Sequence, residues 1–267
     1  MLESMLIYLP LGVIAGVMAG LLGLGGGLVI VPILTITLKM AGVHEEDIMK
    51  IAVGTSFATI CFTSLSSVYA HNKKQSVMWD VLIRFLPGVL IGVFALGYFV
   101  NYLSNTLLSY LFSAFVLFSI YNLVKKKPPV VEDKAPNTHF LTLSGFGFGI
   151  GGISALVGVG GGAMTVPLLS HLGHEMKKAI GTSSAAGFPI ALAGAVNAVW
   201  HGFDAPNLPE YSFGFIYLPA LIGIAITSML FAPIGAKLAH KLPQVALKRV
   251  FAIYLSIIFV QMIVSAH

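Results

Sequence analysis

The chain has 267 residues, of which 57% are hydrophobic and only 9% are charged, and its mean hydropathy is +0.92. A soluble domain carries roughly 25% charged residues, so this composition excludes a soluble fold and predicts an all-α integral membrane protein surrounded by lipid. The net charge of +5 does not indicate a nucleic-acid partner, because the basic residues lie in short loops between apolar segments.

Each half of the chain contains four apolar runs, and a membrane span needs about 20 apolar residues. The runs cover 5–38, 48–70, 79–101 and 105–124 in the first half, and 139–172, 179–200, 213–236 and 248–265 in the second. The polar, proline-containing stretch 125–138 between them predicts a linker. We therefore expect a first transmembrane repeat at 1–124 and a second at 139–267.

The first run of each half is too long for one crossing and contains a glycine cluster. Residues 20–34 read GLLGLGGGLVIVPIL, and residues 155–169 read ALVGVGGGAMTVPLL. Each run is either one long broken helix or a re-entrant pair of helices that enters and leaves the membrane on the same side.

Loop charges distinguish these alternatives. If each long run crosses once, the basic loop residues divide eight against six, and no orientation is specified. If each run turns back, twelve lie on one side and only Lys39 and Lys50 lie on the other. Because positive loops stay cytoplasmic, the second arrangement is favoured. It places the linker 125–138 in the cytoplasm and both termini outside. Each half then has five membrane segments, two of them short, and this odd number predicts an inverted repeat.

Further motifs recur in the same order in both halves. VGTSFA at 53–58 is answered by IGTSSA at 180–185, and RFLPGVLIG at 84–92 by IYLPALIGI at 216–224. Ala70-His71 is answered by Trp200-His201 if a three-residue insertion is allowed. Inverted repeats with interrupted helices are typical of secondary transporters, whose substrate site lies where the broken helices meet.

The paired glycine and Val-Pro motifs, the two Gly-Thr-Ser motifs and the hydropathy of four runs per half resemble the sulfite exporter TauE/SafE family over essentially the whole chain. This resemblance implies a multi-pass carrier of the bacterial inner membrane. It also implies a substrate among sulfite, sulfonates and related small anions, and transport outwards.

The candidate substrate-binding residues supply backbone N–H groups, hydroxyls or an amide. Glycine lets the backbone approach a ligand, and a helix beginning after each cluster would direct free N–H groups and a positive dipole end at an anion. The alternatives are close helix packing for the glycines, as expected for Gly12, Gly16 and Gly20, and capping for the hydroxyls. The set is Gly25, Gly26, Gly27, Thr55, Ser56, Gly160, Gly161, Gly162, Thr182, Ser183 and Asn197.

Two further pairs accompany this set. Pro32 and Pro167 lie five residues past the clusters, where proline would fix the angle of each short return helix. His71 and His201 end corresponding apolar runs, as interfacial histidines or as a gate or proton-linked pair.

The sequence thus predicts a secondary transporter for a small anion, with no catalytic residues, metal or cofactor. No Asp or Glu lies in the middle of an apolar run, which disfavours a cation substrate. A transporter or channel for another small anion, such as a carboxylate, is the main alternative. An intramembrane enzyme, a membrane scaffold and a homodimeric assembly also stay open.

Overall fold

A computed structural model describes residues 2–22, 25–125, 139–206, 208–241, 252–253, 255–260 and 262. The described chain is almost entirely helical. The helices are α1 Leu2–Leu22, α2 Gly27–Met40, α3 Ile48–Asn72, α4 Trp79–Gly97, α5 Asn105–Lys125, α6 Phe140–Val157, α7 Gly162–His171, α8 Met176–Gly202 and α9 Leu218–Lys241. A 3-10 turn spans Tyr98–Tyr102, and strands β1 Ser212–Phe213 and β2 Ile216–Tyr217 form an antiparallel hairpin that pairs Ser212 with Tyr217. Residues 126–138 of the predicted linker and the C-terminal residue lie outside the described part.

Five of the described helices are long and apolar enough to cross a membrane. They cover Ile48–Asn72, Trp79–Val100, Phe140–Val157, Met176–Gly202 and Leu218–Leu238. The prediction of an all-α integral membrane protein is confirmed.

The helices of the two glycine-linked pairs differ in length. The return helices α2 and α7 have 14 and 10 residues, as expected for segments that reach only part of the way across. The entering helix α6 has 18 residues and is long enough to cross a membrane, so the prediction of two short segments is wrong for the second half. In the first half, the apolar part of α1, Met5–Leu21, is shorter than the five membrane-length helices.

Both long runs turn back at their glycines. Tyr8, near the start of α1, donates a hydrogen bond from its hydroxyl to Thr37 Oγ1, near the end of α2, at 3.1 Å. In the second half, Leu143 near the start of α6 shares a buried cluster with Leu169 near the end of α7. Each run therefore turns back at its glycines and is not one broken crossing.

The two halves pack against each other in a repeating pattern. Helix α1 lies along α9, α6 lies along α4, and α3 packs against α8 at the centre. The α1–α9 and α6–α4 contacts are equivalent, because each joins the first helix of one half to the fourth helix of the other half. Small residues allow the close approach: a β carbon added to Gly16 would lie 2.5 Å from the Ser228 carbonyl oxygen, and one at Gly151 would clash with the Val89 carbonyl oxygen. The orientation of each half in the membrane stays a prediction.

These contacts also correct one predicted repeat. Gly16 and Gly151 are equivalent, since 151 − 16 = 135 is also the spacing of the glycine motifs (155 − 20). Their partners Val89 and Ser228 then correspond at a spacing of 228 − 89 = 139, whereas the Leu-Pro match requires 216 − 84 = 132. The difference of seven residues is about two helical turns, so the RFLPGVLIG match is wrong in register.

Candidate functional site

The two glycine breaks meet at the interface between the halves. All six predicted glycines, Gly25 to Gly27 and Gly160 to Gly162, are buried. A β carbon added to Gly25 would lie 3.6 Å from Gly160 Cα, and one added to Gly27 would lie 2.5 Å from the Gly158 carbonyl oxygen. The structure therefore brings together two clusters that are 135 residues apart in the sequence (160 − 25).

A helix begins at each break without a side-chain cap. The N-cap residues are Gly26, with φ of 88°, and Gly161, with φ of 72°, and neither has a side chain that could accept a cap hydrogen bond. Both φ values lie in the left-handed region that favours glycine. The first N–H groups of α2 and α7 have no acceptor within their own helix and lie in buried surroundings, where an unpaired N–H is costly. Together with the positive dipole ends, they suit an anion.

A buried serine that sequence reasoning missed lies beside the second break. Among the described residues, the Ser154 hydroxyl has no hydrogen-bond partner, although only 1% of Ser154 is exposed. Its Oγ lies 3.4 Å from the position that a β carbon on Gly161 would take. By contrast, the Thr165 hydroxyl donates to the Gly161 carbonyl oxygen at 2.9 Å. The sequence does contain a signal for Ser154, because it is a polar residue within an apolar run, about one helical turn before the glycine cluster.

The Gly-Thr pairs join the two halves. The Thr55 hydroxyl oxygen accepts a hydrogen bond from the Tyr217 backbone N–H, and the Thr182 oxygen accepts one from Met78 N–H, both at 2.9 Å. Tyr217 and Met78 immediately precede α9 and α4, and their spacing of 217 − 78 = 139 is that of the corrected register. Each Gly-Thr pair therefore binds the backbone at the N-terminus of a helix of the opposite half.

The serines that follow these threonines are also buried. Ser56 donates from its hydroxyl to the Gly158 carbonyl oxygen at 2.7 Å, which ties α3 to the second break. Ser183 is fully buried beside Thr182. The hydroxyls of Thr55, Ser56 and Thr182 thus make structural hydrogen bonds, and any contact of these residues with substrate stays a prediction.

Ile60 fills the space between the two breaks. Its Cγ2 would lie 2.9 Å from a β carbon on Gly25 and 3.2 Å from one on Gly160. The residue at the corresponding position of α8 is Gly187, because 187 − 60 = 127 is the spacing of the Gly-Thr-Ser motifs (180 − 53). One half therefore supplies a bulky side chain at the centre and the other supplies none. Sequence reasoning missed this contrast because neither residue is polar.

Asn197 lies away from the breaks. It is ten residues beyond Gly187 on α8 (197 − 187 = 10), a rise of about 15 Å. Its side chain lies against Gly97 and lines a cavity of about 30 Å³, together with Lys50 and His201. The structure thus assigns Asn197 to a different region from the other predicted site residues.

The two predicted gate histidines are not equivalent. His71 is 1% exposed, and its Nε2 lies 3.1 Å from the Gly20 carbonyl oxygen. His201 is half-buried, with its ring edge-on to Tyr98 at 5.6 Å between centroids. Helices α3 and α8 are uninterrupted, so the insertion assumed in matching the histidines does not occur. The spacing of 127 pairs His71 with Ala198 (71 + 127), and the match between the two histidines is wrong.

Both helix-break prolines lie inside the return helices, Pro32 in α2 and Pro167 in α7. The Pro32 carbonyl accepts a hydrogen bond from the Thr35 hydroxyl at 2.7 Å. Because proline has no N–H, Pro32 removes the hydrogen bond that this position would make to the Leu28 carbonyl in the preceding turn. Their effect on the helix angle stays a prediction. Among the described residues, no three His, Cys, Asp or Glu side chains lie together as metal ligands would.

A chain of apolar helices in two halves, with glycine-broken hairpins meeting at the interface, defines a multi-pass membrane protein of the interrupted-helix class. Comparisons with known proteins agree. The chain is 36% identical over 264 residues to a probable membrane transporter protein of Haemophilus influenzae, covering 98% of this chain and 99% of that one. It is 31% identical over 221 residues to the probable membrane transporter protein YunE of Bacillus subtilis, covering 74% and 80% of the two chains. A probable membrane transporter protein of Methanocaldococcus jannaschii is 28% identical over 247 residues, covering 89% and 88%.

The family model described as sulfite exporter TauE/SafE matches residues 8–262. The chain therefore belongs to the TauE/SafE family and is a membrane transporter, as its resemblance to the family predicted. No solved structure gave a significant match.

Proposed function

We propose that this protein is a secondary transporter for a small sulfur oxyanion or organic sulfonate, which it binds between the two glycine breaks. The observation that carries the proposal is the meeting of two buried helix N-termini, one from each half, whose N-caps are Gly26 and Gly161. Two positive dipole ends can hold an anion without a buried lysine. Export as the direction of transport rests on the description of the family.

The groups that contact the anion in this proposal are chiefly backbone N–H groups. The first turns of α2 and α7 donate them, and the Ser154 hydroxyl adds one side-chain donor beside Gly161. Ser56 lies at the second break through its bond to the Gly158 carbonyl, while Thr55 and Thr182 position the helices through their bonds to Tyr217 and Met78. The proposal includes Ser183 as the counterpart of Ser56. Asn197 contributes at a distance from this centre.

Counterflow in proteoliposomes tests the proposal. Vesicles containing the purified protein and unlabelled sulfite should accumulate labelled sulfite, with saturation, and should discriminate among sulfate, thiosulfate, taurine, sulfoacetate and simple carboxylates. Preference for a carboxylate would show that the substrate class is carboxylates and not sulfur oxyanions or sulfonates. A steady current far faster than the turnover of a carrier would show that the protein is a channel. Absence of flux for every anion would overturn the proposal.

The site is tested by adding one methyl group where the backbone tolerates it. A β carbon at Gly187 would make only ordinary contacts, at 3.6 Å to Ser64 Cβ and 3.7 Å to the Gly160 carbonyl oxygen, and helical Gly→Ala changes usually stabilise. Gly187→Ala should therefore reduce sulfite flux by about tenfold or more while the protein stays folded. Gly149→Ala is the matched control, because a β carbon added at this position of α6 would meet no atom within 4 Å beyond its own helix. Equal flux in both variants would place the site elsewhere.

The predicted topology has its own test. A reporter fused within 125–138 should be cytoplasmic and one after His267 should be external in a bacterial inner membrane. A cytoplasmic reading at His267 would exclude the inverted arrangement.

A further inference from the structure

A small cavity lies at the end of the central helix pair where α3 begins. Its volume is about 30 Å³, and its polar lining residues are Lys50, Asn197 and His201. The cavity extends towards the second break, because Val53 and Ala155 also line it, and a β carbon on Gly158 would lie 2.9 Å from Val53 Cα. Its polar end is farther away, since Asn197 is about 15 Å along α8 from Gly187. The loop charges predict that this end faces outside.

The lining groups suit an anion. Lys50 supplies a positive charge on a side chain that is only 16% exposed, and its Nζ lies 5.7 Å from the centre of the Phe215 ring. Asn197 contributes an amide N–H₂ donor, and His201 has an imidazole N–H in either tautomer. A partly desolvated ammonium attracts a counter-ion more strongly than a fully hydrated one.

One acidic group competes for this charge. The Asp47 carboxylate lies 3.5 Å from Lys50 Nζ, one helical turn earlier in the chain, and its side chain is also 16% exposed. An incoming anion would share the ammonium with Asp47 or displace it. Asp47 therefore weakens the affinity of the cavity for an anion.

Phe57 forms part of the floor of the cavity. It directly follows Ser56, the residue that connects α3 to the second break. The Phe57 ring packs on Gly194, where a β carbon would lie 2.5 Å from Cδ2. Its neighbour Ser56 donates to the Gly158 carbonyl. A volume of about 30 Å³ has room for one or two waters but not for an oxyanion with several heavy atoms, so occupancy requires the lining to open.

At the opposite end of the helix pair, two serines occupy the positions equivalent to this aromatic contact. The counterparts of Phe57 and Gly194 at the spacing of 127 are Ser184 (57 + 127) and Ser67 (194 − 127). Ser67 donates a hydrogen bond to Ser184 Oγ at 3.3 Å. The contact between an aromatic ring and a glycine at the Lys50 end thus corresponds to a serine–serine hydrogen bond at the other end.

We propose that Lys50, Asn197 and His201 form a second anion site, at the mouth of the transport path, which holds the substrate before or after it passes Phe57. This site rests on the proposed transport of a small oxyanion. It is a waiting position and not the central site, so its residues set the apparent affinity from the Lys50 side more than the maximal rate.

The kinetics of sulfite transport in proteoliposomes test this site through paired charge changes. Lys50→Gln should raise KM for sulfite presented to the Lys50 side by about tenfold, the loss of one charge-assisted hydrogen bond. Asp47→Asn should lower the same KM, because it removes the competing carboxylate. The maximal rate should change by less than about twofold in both variants, because the central site is intact.

Two controls separate charge from folding. Lys50→Arg keeps the charge and should keep a KM near that of the unchanged protein. Lys39→Gln removes an exposed lysine paired with Glu45 at 3.6 Å, outside the cavity lining, and should leave KM unchanged. Opposite shifts of KM for Lys50→Gln and Asp47→Asn support the site. Unchanged KM in both, with flux still sensitive to Gly187→Ala, overturns the site alone, whereas absence of sulfite flux in the unchanged protein overturns both proposals.

Discussion

The break at Gly25–Gly27 and the break at Gly160–Gly162 have closely similar backbones and different side-chain surroundings. Each contains a left-handed glycine N-cap that begins a short return helix. Ser154 and Thr165 lie beside the second break, whereas their counterparts in the first are Ala19 (154 − 135) and Ile30 (165 − 135). The repeat therefore conserves the geometry of two helix ends while the polar side chains concentrate on one of them.

The central pair of helices shows the same asymmetry. Ile60 of α3 lies between the breaks, and its counterpart Gly187 leaves its position empty of side chain. A symmetric backbone can thus carry a site that is bulky on one side and polar on the other. The following changes test this contrast between the halves, beginning with the largest expected effect.

Ile60→Ala should destabilise the protein by about 2–5 kcal/mol, because it removes a fully buried side chain that contacts both breaks. Thermal unfolding in detergent measures the loss. Ile91→Ala, at a side chain that is 62% exposed, should cost much less. Equal losses for the two variants would show that Ile60 does not pack at the centre.

Thr55→Val and Thr182→Val should each destabilise by about 1–3 kcal/mol, since each leaves a backbone N–H of the opposite half without its acceptor. The two losses should be similar, because the hydrogen bonds occupy equivalent places in the two halves. A large loss for one and none for the other, in the same unfolding assay, would contradict this equivalence.

Ser154→Ala should weaken sulfite binding by about tenfold, because the lost hydroxyl is a donor to a charged ligand. The ligand-free protein should keep or gain stability, since this hydroxyl is buried and has no partner among the described residues. The shift of the unfolding temperature by sulfite measures the affinity. Ser113→Ala, at a hydroxyl that donates to Ser109 within α5, is the control and should leave the shift unchanged.

The smallest effect concerns acid and the loop between α7 and α8. Burial lowers the pKa of His174 below its usual 6.5, with Asp80 opposing the shift and Lys178 adding to it. The folded state then binds fewer protons than the unfolded state, so stability is complete above pH 6.5 and decreases as the pH falls through it.

His174→Gln should flatten this dependence in unfolding measurements between about pH 7 and 5. His44→Gln, in the exposed α2–α3 loop, is the matched control. An unchanged slope in His174→Gln would contradict the role of His174.

Residue patterns along the chain were sufficient to predict the large features. The low charge fraction required a membrane protein, and the sidedness of lysines required each long run to turn at its glycines. The hydrogen bond from Tyr8 to Thr37 confirms that turn in the first half. These features were predictable because they depend on local composition and on the repeated order of motifs.

Contacts between the halves were harder to predict. The letters RFLPGVLIG and the two histidines suggested equivalences that the packing of α4, α9 and α8 does not keep. A match of letters does not specify the register at which two helices meet, and a shift of about two turns keeps the same helix face inward.

The sequence by itself determined the class of protein, its two repeats and the places where the chain breaks, because glycine and charge act locally on the backbone and on its insertion in the bilayer. Only the tertiary structure decided which side chains share each site. It placed Ser154 and Ile60 at the breaks, and it placed Asn197 and His201 with Lys50 in a cavity at the end of the helix pair where α3 begins. The physical reason is that both sites lie between halves that are joined by packing and not by sequence proximity.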